Sequence, residues 1–120
     1  MKKYLLFVLL IACSEKKTDF LLDPLAFDTK YKATENAMLL DVRTPEEVAA
    51  GKIANAENIV WDESFSEKVA NLEHKPIFIY CGSGIRSAKA AEVLREKGYK
   101  DVYELQGGLK TWKAAGLPVE

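Results

Sequence analysis

The chain has 120 residues, 48% of them hydrophobic, which is enough for one compact domain with its own core and no disulfide scaffold. Its 17 basic and 18 acidic residues leave a formal net charge of -1, so no overall field exists to draw in nucleic acid or an acidic membrane surface, and any substrate is recognised locally. Two cysteines, Cys13 and Cys81, and one histidine, His74, fall short of a four-ligand zinc set, and no metal or other cofactor is expected.

The opening "MKKYLLFVLLIAC" sets Lys2 and Lys3 before an apolar run from Tyr4 to Ala12, the layout of a secretory signal. The run is much shorter than the ~20 residues a spanning helix needs. Leu10-Ile11-Ala12-Cys13 resembles the lipobox of bacterial lipoproteins, which implies a signal over residues 1–12 and a lipid on Cys13. A buried first element carrying an ordinary core cysteine is the other reading. "SEKKTDF" is polar, and residues 13–22 are expected to form a flexible tether to a domain over residues 23–120.

From Asp23 onward, apolar runs alternate with segments of helical spacing, and glycine, proline or a polar cluster marks each change. "DPLAFDTKYKA" reads as a helix with Pro24 near its start, and "AMLLDV" (37–42) as a strand covered on both faces. In "TPEEVAAG", Thr44 caps a short helix with Pro45 at its first position and Gly51 at its close. "ENIV" (57–60) predicts a brief strand, and Phe65, Val69 and Leu72 a helix over 64–72. Pro76 then admits the strand "IFIY". "RSAKAAEVLREKG" is a helix that turns Ala88, Ala91 and Leu94 to one side and ends at Gly98. "DVYEL" (101–105) predicts a strand and "GGLKTWKAAG" a last short helix. Strands interleaved with helices in this way run mostly parallel, which predicts a three-layer α/β domain.

In such a sheet, sites form beyond the carboxyl ends of the strands, where amides at helix starts lack internal partners. Cys81 sits there. Gly82 and Gly84 let the segment through Ser83, Ile85 and Arg86 curl so that amides point at the sulfur, which favours a thiolate. Cysteines at helix N-termini commonly ionise at roughly 3.5–7.5, so no general base is required. His74, in the polar "LEHK" turn, reads as a surface residue. Arg86 in the first turn of a helix opposes the dipole and calls for an anion nearby: a thiolate, a bound oxyanion, or a structural carboxylate such as Asp41.

Three segments, "LLDVRTPEEVAAGKIANAENI" (39–59), "CGSGIRS" (81–87) and "GGLKTWKAAGLPV" (107–119), resemble a single-domain rhodanese in order and spacing. The resemblance implies a central parallel sheet of about five strands flanked by helices. It also implies a sulfurtransferase in which Cys81 takes a sulfane sulfur from a donor such as thiosulfate. The resulting persulfide, cradled by the loop from Gly82 to Arg86, passes its sulfur to cyanide, a small thiol or a protein acceptor. Asp41 and Arg43 match the family's Asp-Val-Arg, with a structural role. The chain departs where the family usually has Gly-His-Ile and Pro-Gly-Ala; here Gly51-Lys52-Ile53 and Ala54-Asn55-Ala56 stand.

Two other readings share these residues. A non-catalytic binding module is one, although inactive rhodanese-like regulators typically lose the cysteine. A phosphatase or arsenate reductase is the other, but the phosphatase loop is one residue longer than the four that separate Cys81 from Arg86. With a lipid on Cys13, the protein is expected on the periplasmic side of a bacterial cell envelope; without the signal it is expected in the cytoplasm.

Overall fold

A computed structural model describes residues 17–120, so the signal read over residues 1–12 and the lipid site at Cys13 lie outside the described residues. A 3-10 turn (Lys17–Phe20) leads into β1 (Leu21–Leu22), α1 (Pro24–Ala33), β2 (Met38–Asp41), α2 (Pro45–Ala49) and β3 (Glu57–Asn58). There follow α3 (Phe65–Lys68), β4 (Ile77–Tyr80), α4 (Ile85–Glu96), β5 (Val102–Leu105) and α5 (Gly108–Ala114). The strands form one five-stranded sheet in the order β1-β5-β4-β2-β3, and every neighbouring pair is parallel.

The alternation of side chains along the strands splits the core into two layers. Leu40, Ile77 and Ile79 face Phe65, Val69, Ala90, Ala91 and Leu94, so α3 and α4 cover one side. Leu39, Phe78 and Tyr80 face Phe27, Leu109 and Trp112, so α1 and α5 cover the other. Burying each large apolar side chain contributes about 1.5–3 kcal/mol, so β2 and β4, buried along their whole length, anchor the domain. Among the described residues no helix is long and apolar enough to cross a membrane.

The structure corrects three sequence expectations. The folded unit begins before Asp23: Leu21 and Leu22 pair with Glu104 and Leu105 as the sheet's edge strand, and Phe20 packs on Tyr103 at 5.4 Å, so these residues are not a free tether. The helix at 64–72 closes after Lys68, because Val69 leaves helical geometry and the next amide, of Ala70, bonds only three residues back to Glu67; Val69 is still fully buried. The buried side of α4 is Ser87, Ala90, Ala91 and Leu94, and Ala88 faces out. Where the chain departs from the family pattern, Asn55 stands for the usual glycine and sits at φ 72°, a left-handed conformation that asparagine tolerates better than other non-glycine residues.

Candidate active site

Central strand β4 ends at Tyr80, and Cys81 follows directly, at the carboxyl edge where α4 begins. Gly84 adopts φ 100°, which turns the chain back on itself and aims its own amide at the Cys81 sulfur, with N to Sγ at 3.0 Å. Ser87, in the first turn of α4, donates its amide to Sγ at 3.4 Å, and while Cys81 is protonated the Ser87 hydroxyl oxygen accepts from the thiol, also at 3.4 Å. The Ser87 hydroxyl also reaches the Gly84 carbonyl at 3.3 Å, which fixes the serine beneath the sulfur. Cys81 is 0% exposed. Burial pushes its thiol up, but hydrogen bonds from the Ser87 side chain and from the amides of Ser87, Gly84 and Ser83 outweigh it, and the thiol ionises below its usual value.

The loop is held from behind by α5. The Leu109 amide donates to the Cys81 carbonyl at 2.8 Å and the Lys110 amide to the Gly82 carbonyl at 3.1 Å. Two amides of one helix start thus bind two carbonyls of the loop, leaving the loop's own amides free to point at sulfur. Gly108, at φ 66°, permits this approach, because a Cβ there would lie 2.5 Å from the Cys81 carbonyl oxygen.

Arg86 finds its anion in Glu47 rather than in Asp41. Its two terminal nitrogens meet the two carboxylate oxygens at 2.7 and 3.0 Å, a bidentate pair. Glu47 comes from α2, where it closes a capping box: its Oε1 accepts from the Thr44 amide at 3.2 Å and from the Thr44 hydroxyl at 3.1 Å. The Arg86 guanidinium holds this carboxyl well below its usual range, at about 2. The pair lies beside the loop: a Cβ on Gly82 would come within 3.2 Å of the Arg86 guanidinium and 3.7 Å of the Glu47 carboxylate.

Asp41 is committed elsewhere. Its carboxylate accepts from the Arg43 amide at 2.9 Å and from the Arg43 guanidinium at 2.8 and 3.0 Å, and both side chains are buried. Arg43 also donates to the Gly51 carbonyl at 2.7 Å, so the pair ties the end of β2 to the far end of α2. Asn58 donates to the Asp41 and Arg43 carbonyls, both at 2.9 Å, and locks β3 to the same corner. On the sheet side, the buried Tyr80 hydroxyl accepts from the Ile53 amide at 3.1 Å.

Of the sequence-predicted site residues, Cys81, Ser83 and Gly84 gather around the sulfur, and Gly82 and Arg86 flank it. Ile85 turns its side chain outward. Asp41 and Arg43 lie behind the loop and not on it. His74 is exposed, at the opposite end of β4, stacked on Tyr99 at 4.4 Å. Among the described residues no group of three or more His, Cys, Asp or Glu is placed to hold a metal ion. Sequence reasoning missed Glu47, Ser87 and Gly108. For Glu47 a signal existed, since Thr44-Pro45-Glu46-Glu47 spells a capping box.

The rhodanese-like domain family matches residues 27–115. The chain is 40% identical over 76 residues to the uncharacterized protein YqhL of Bacillus subtilis, spanning 63% of this chain and 60% of that protein's length. It is 38% identical to the thiosulfate sulfurtransferase GlpE of Actinobacillus succinogenes, over 72% of this chain and 78% of that one. Among solved structures, a rhodanese-related protein of Thermoplasma volcanium superposes with a TM-score of 0.73 at 33% identity, covering 82% of this chain and 95% of its own. The cysteine loop, the parallel sheet behind it and the length of the match together make this chain a member of the rhodanese-like domain family.

Proposed function

We propose that the protein is a sulfurtransferase that carries a sulfane sulfur as a persulfide on Cys81. The observation that supports this is the sulfur's setting: an amide at 3.0 Å, a second amide and a hydroxyl at 3.4 Å, and a thiol acidified by these bonds against the pull of burial. The likeness to a thiosulfate sulfurtransferase from Actinobacillus succinogenes points the same way.

In the forward step the Cys81 thiolate attacks the outer sulfur of the donor. A sulfur–sulfur bond forms as the donor's own breaks, and the leaving group departs with the electron pair. The inward-pointing amides stabilise the sulfur anion before transfer and the persulfide after it. An acceptor thiolate or cyanide then takes the outer sulfur and returns Cys81 to its starting state. Because Cys81 is covered at rest, the donor reaches its sulfur only when the structure around it opens.

That coverage is the observation favouring the second reading, a binding module whose cysteine is a packing residue. Mass measurement decides between them. A gain of one sulfur atom after incubation with a sulfane donor, absent in Cys81→Ser, supports transfer; an unchanged mass supports the module. We further propose that Cys13 carries a lipid and holds the domain at the periplasmic face of a bacterial envelope. Metabolic labelling with a palmitate analogue tests this, and an unlabelled protein overturns it.

A further inference from the structure

Thiosulfate and an organic persulfide present the same outer sulfur on different charges. Thiosulfate is a dianion and releases sulfite, also a dianion; a persulfide R–S–SH releases a thiolate bearing one charge. A site built for thiosulfate therefore needs a cation free to meet the extra charge. Here the guanidinium fixed beside the loop is already taken. Arg86 is bound through both terminal nitrogens by Glu47, at 2.7 and 3.0 Å, next to Gly82.

Glu47 is not a casual surface partner. Thr44 grips the same carboxylate through its amide and hydroxyl, so Glu47 is oriented before Arg86 arrives. An incoming anion must compete with a ligand that is part of the chain and already in place. Lys89 and Lys110 also belong to this end of the molecule, on α4 and α5, but both are exposed and solvated. The other flank of the loop is mostly apolar. Ile85 is 66% exposed, and with Leu21, Ala88 and Leu105 it makes the apolar part of a cavity of about 500 Å³, whose polar part includes Lys89 and Glu104.

Resting on the sulfurtransferase reading, we infer that Glu47 is a specificity-determining residue: by holding Arg86 it selects against dianionic thiosulfate and leaves an organic persulfide as the preferred donor. The step balances as R–S–SH with the Cys81 thiolate giving R–S⁻ and Cys81–S–SH. One sulfur–sulfur bond forms and one breaks, the proton stays with the transferred sulfur, and no external oxidant or reductant enters. The R group occupies the apolar cavity beside Ile85.

The test measures kcat and KM for loading of the full chain with glutathione persulfide and with thiosulfate, in wild type, Glu47→Gln, Arg86→Gln and the double variant. Glutamine keeps a capping-box acceptor toward Thr44, so the helix start survives. Freeing one guanidinium near a dianion lowers the thiosulfate KM of Glu47→Gln by about threefold to fivefold, on the scale of a charge pair at the protein surface. Persulfide kinetics change by less than about twofold, since that donor gains little from a free cation. The thiosulfate gain disappears in the double variant. Glu47→Gln changing both donors alike, or neither, overturns the inference while leaving sulfur transfer intact. A wild-type protein that loads from neither donor overturns the sulfurtransferase reading itself, and the donor preference with it.

Discussion

Gly108 and Cys81 lie twenty-seven residues apart in sequence and in backbone contact in the fold: the position a Gly108 Cβ would take is 2.5 Å from the Cys81 carbonyl oxygen and 2.6 Å from the Gly82 carbonyl. Only a residue without a side chain allows α5 to press its first amides onto the loop. Gly108→Ala is therefore expected to push α5 and the loop apart. The combined cost of the left-handed φ and the overlap is about 1–3 kcal/mol, read as a lower urea midpoint. The same variant loses acidity at the thiol, because the loop amides no longer hold their aim. A pH profile of Cys81 alkylation checks this, and an unchanged profile contradicts it.

Ser87 lies beneath the sulfur with both its amide and its hydroxyl. Ser87→Ala keeps the amide and removes the hydroxyl, so the Cys81 ionisation moves upward and alkylation near neutral pH slows. In the native protein the folded thiol ionises below its unfolded value, so this bond's contribution to stability is complete above the ordinary cysteine range. It is lost as pH falls through the folded value. The stability gap between wild type and Ser87→Ala should widen as pH rises, in denaturant titrations run at several pH values.

Asp41 and Arg43 form a buried pair, 1% and 4% exposed, and removing one partner strands the other's charge. Arg43→Met is expected to cost about 3–5 kcal/mol by chemical denaturation. The pair sits behind the loop and bonds neither sulfur nor Arg86, and its one link to that side is a 3.3 Å bond from Arg43 to the Glu47 carbonyl, so the folded fraction of this variant should alkylate within about twofold of wild type. A folded Arg43→Met protein with a silent thiol would move Arg43 into the catalytic machinery.

The Glu47–Arg86 pair makes its own pH statement. Glu47 is held at about 2, below its usual 4.5, so the pair's stabilisation is present above about 4.5 and fades as pH falls toward about 2. Both side chains are about a third exposed, 37% and 35%, and water screens them, so the effect stays below about 1 kcal/mol. Wild type and Glu47→Gln should differ in urea midpoint near neutrality and converge in acid. A difference that persists below about pH 2 would show that it comes from the capping box alone.

The sequence exposed those features that depend on neighbours along the chain. A four-residue apolar strand, a cysteine and two closely spaced glycines announce the loop, and Pro76, Gly98 and Thr44 mark the ends of elements where the structure also turns or caps. It hid what depends on distant contacts. β1 is two residues with no period to read, and it becomes a strand only because β5 offers an edge. Arg86 called for an anion, but whether Asp41 or Glu47 answered depended on Arg43 claiming Asp41 first. Ala88 and Ala90 are alike as letters, and the angle at which α4 leaves the left-handed Gly84 decides which of them is buried.

The complete covering of Cys81 also bears on how long the protein lasts. A sulfur that is ionised and open to solvent invites peroxide at every moment. This one has no exposed surface at rest, so a reagent meets it only in the moments when the structure around it opens. Damage should then be paced by how often the site opens and not by the acidity of the thiol alone, so that the covered protein outlasts one with the same thiol in the open.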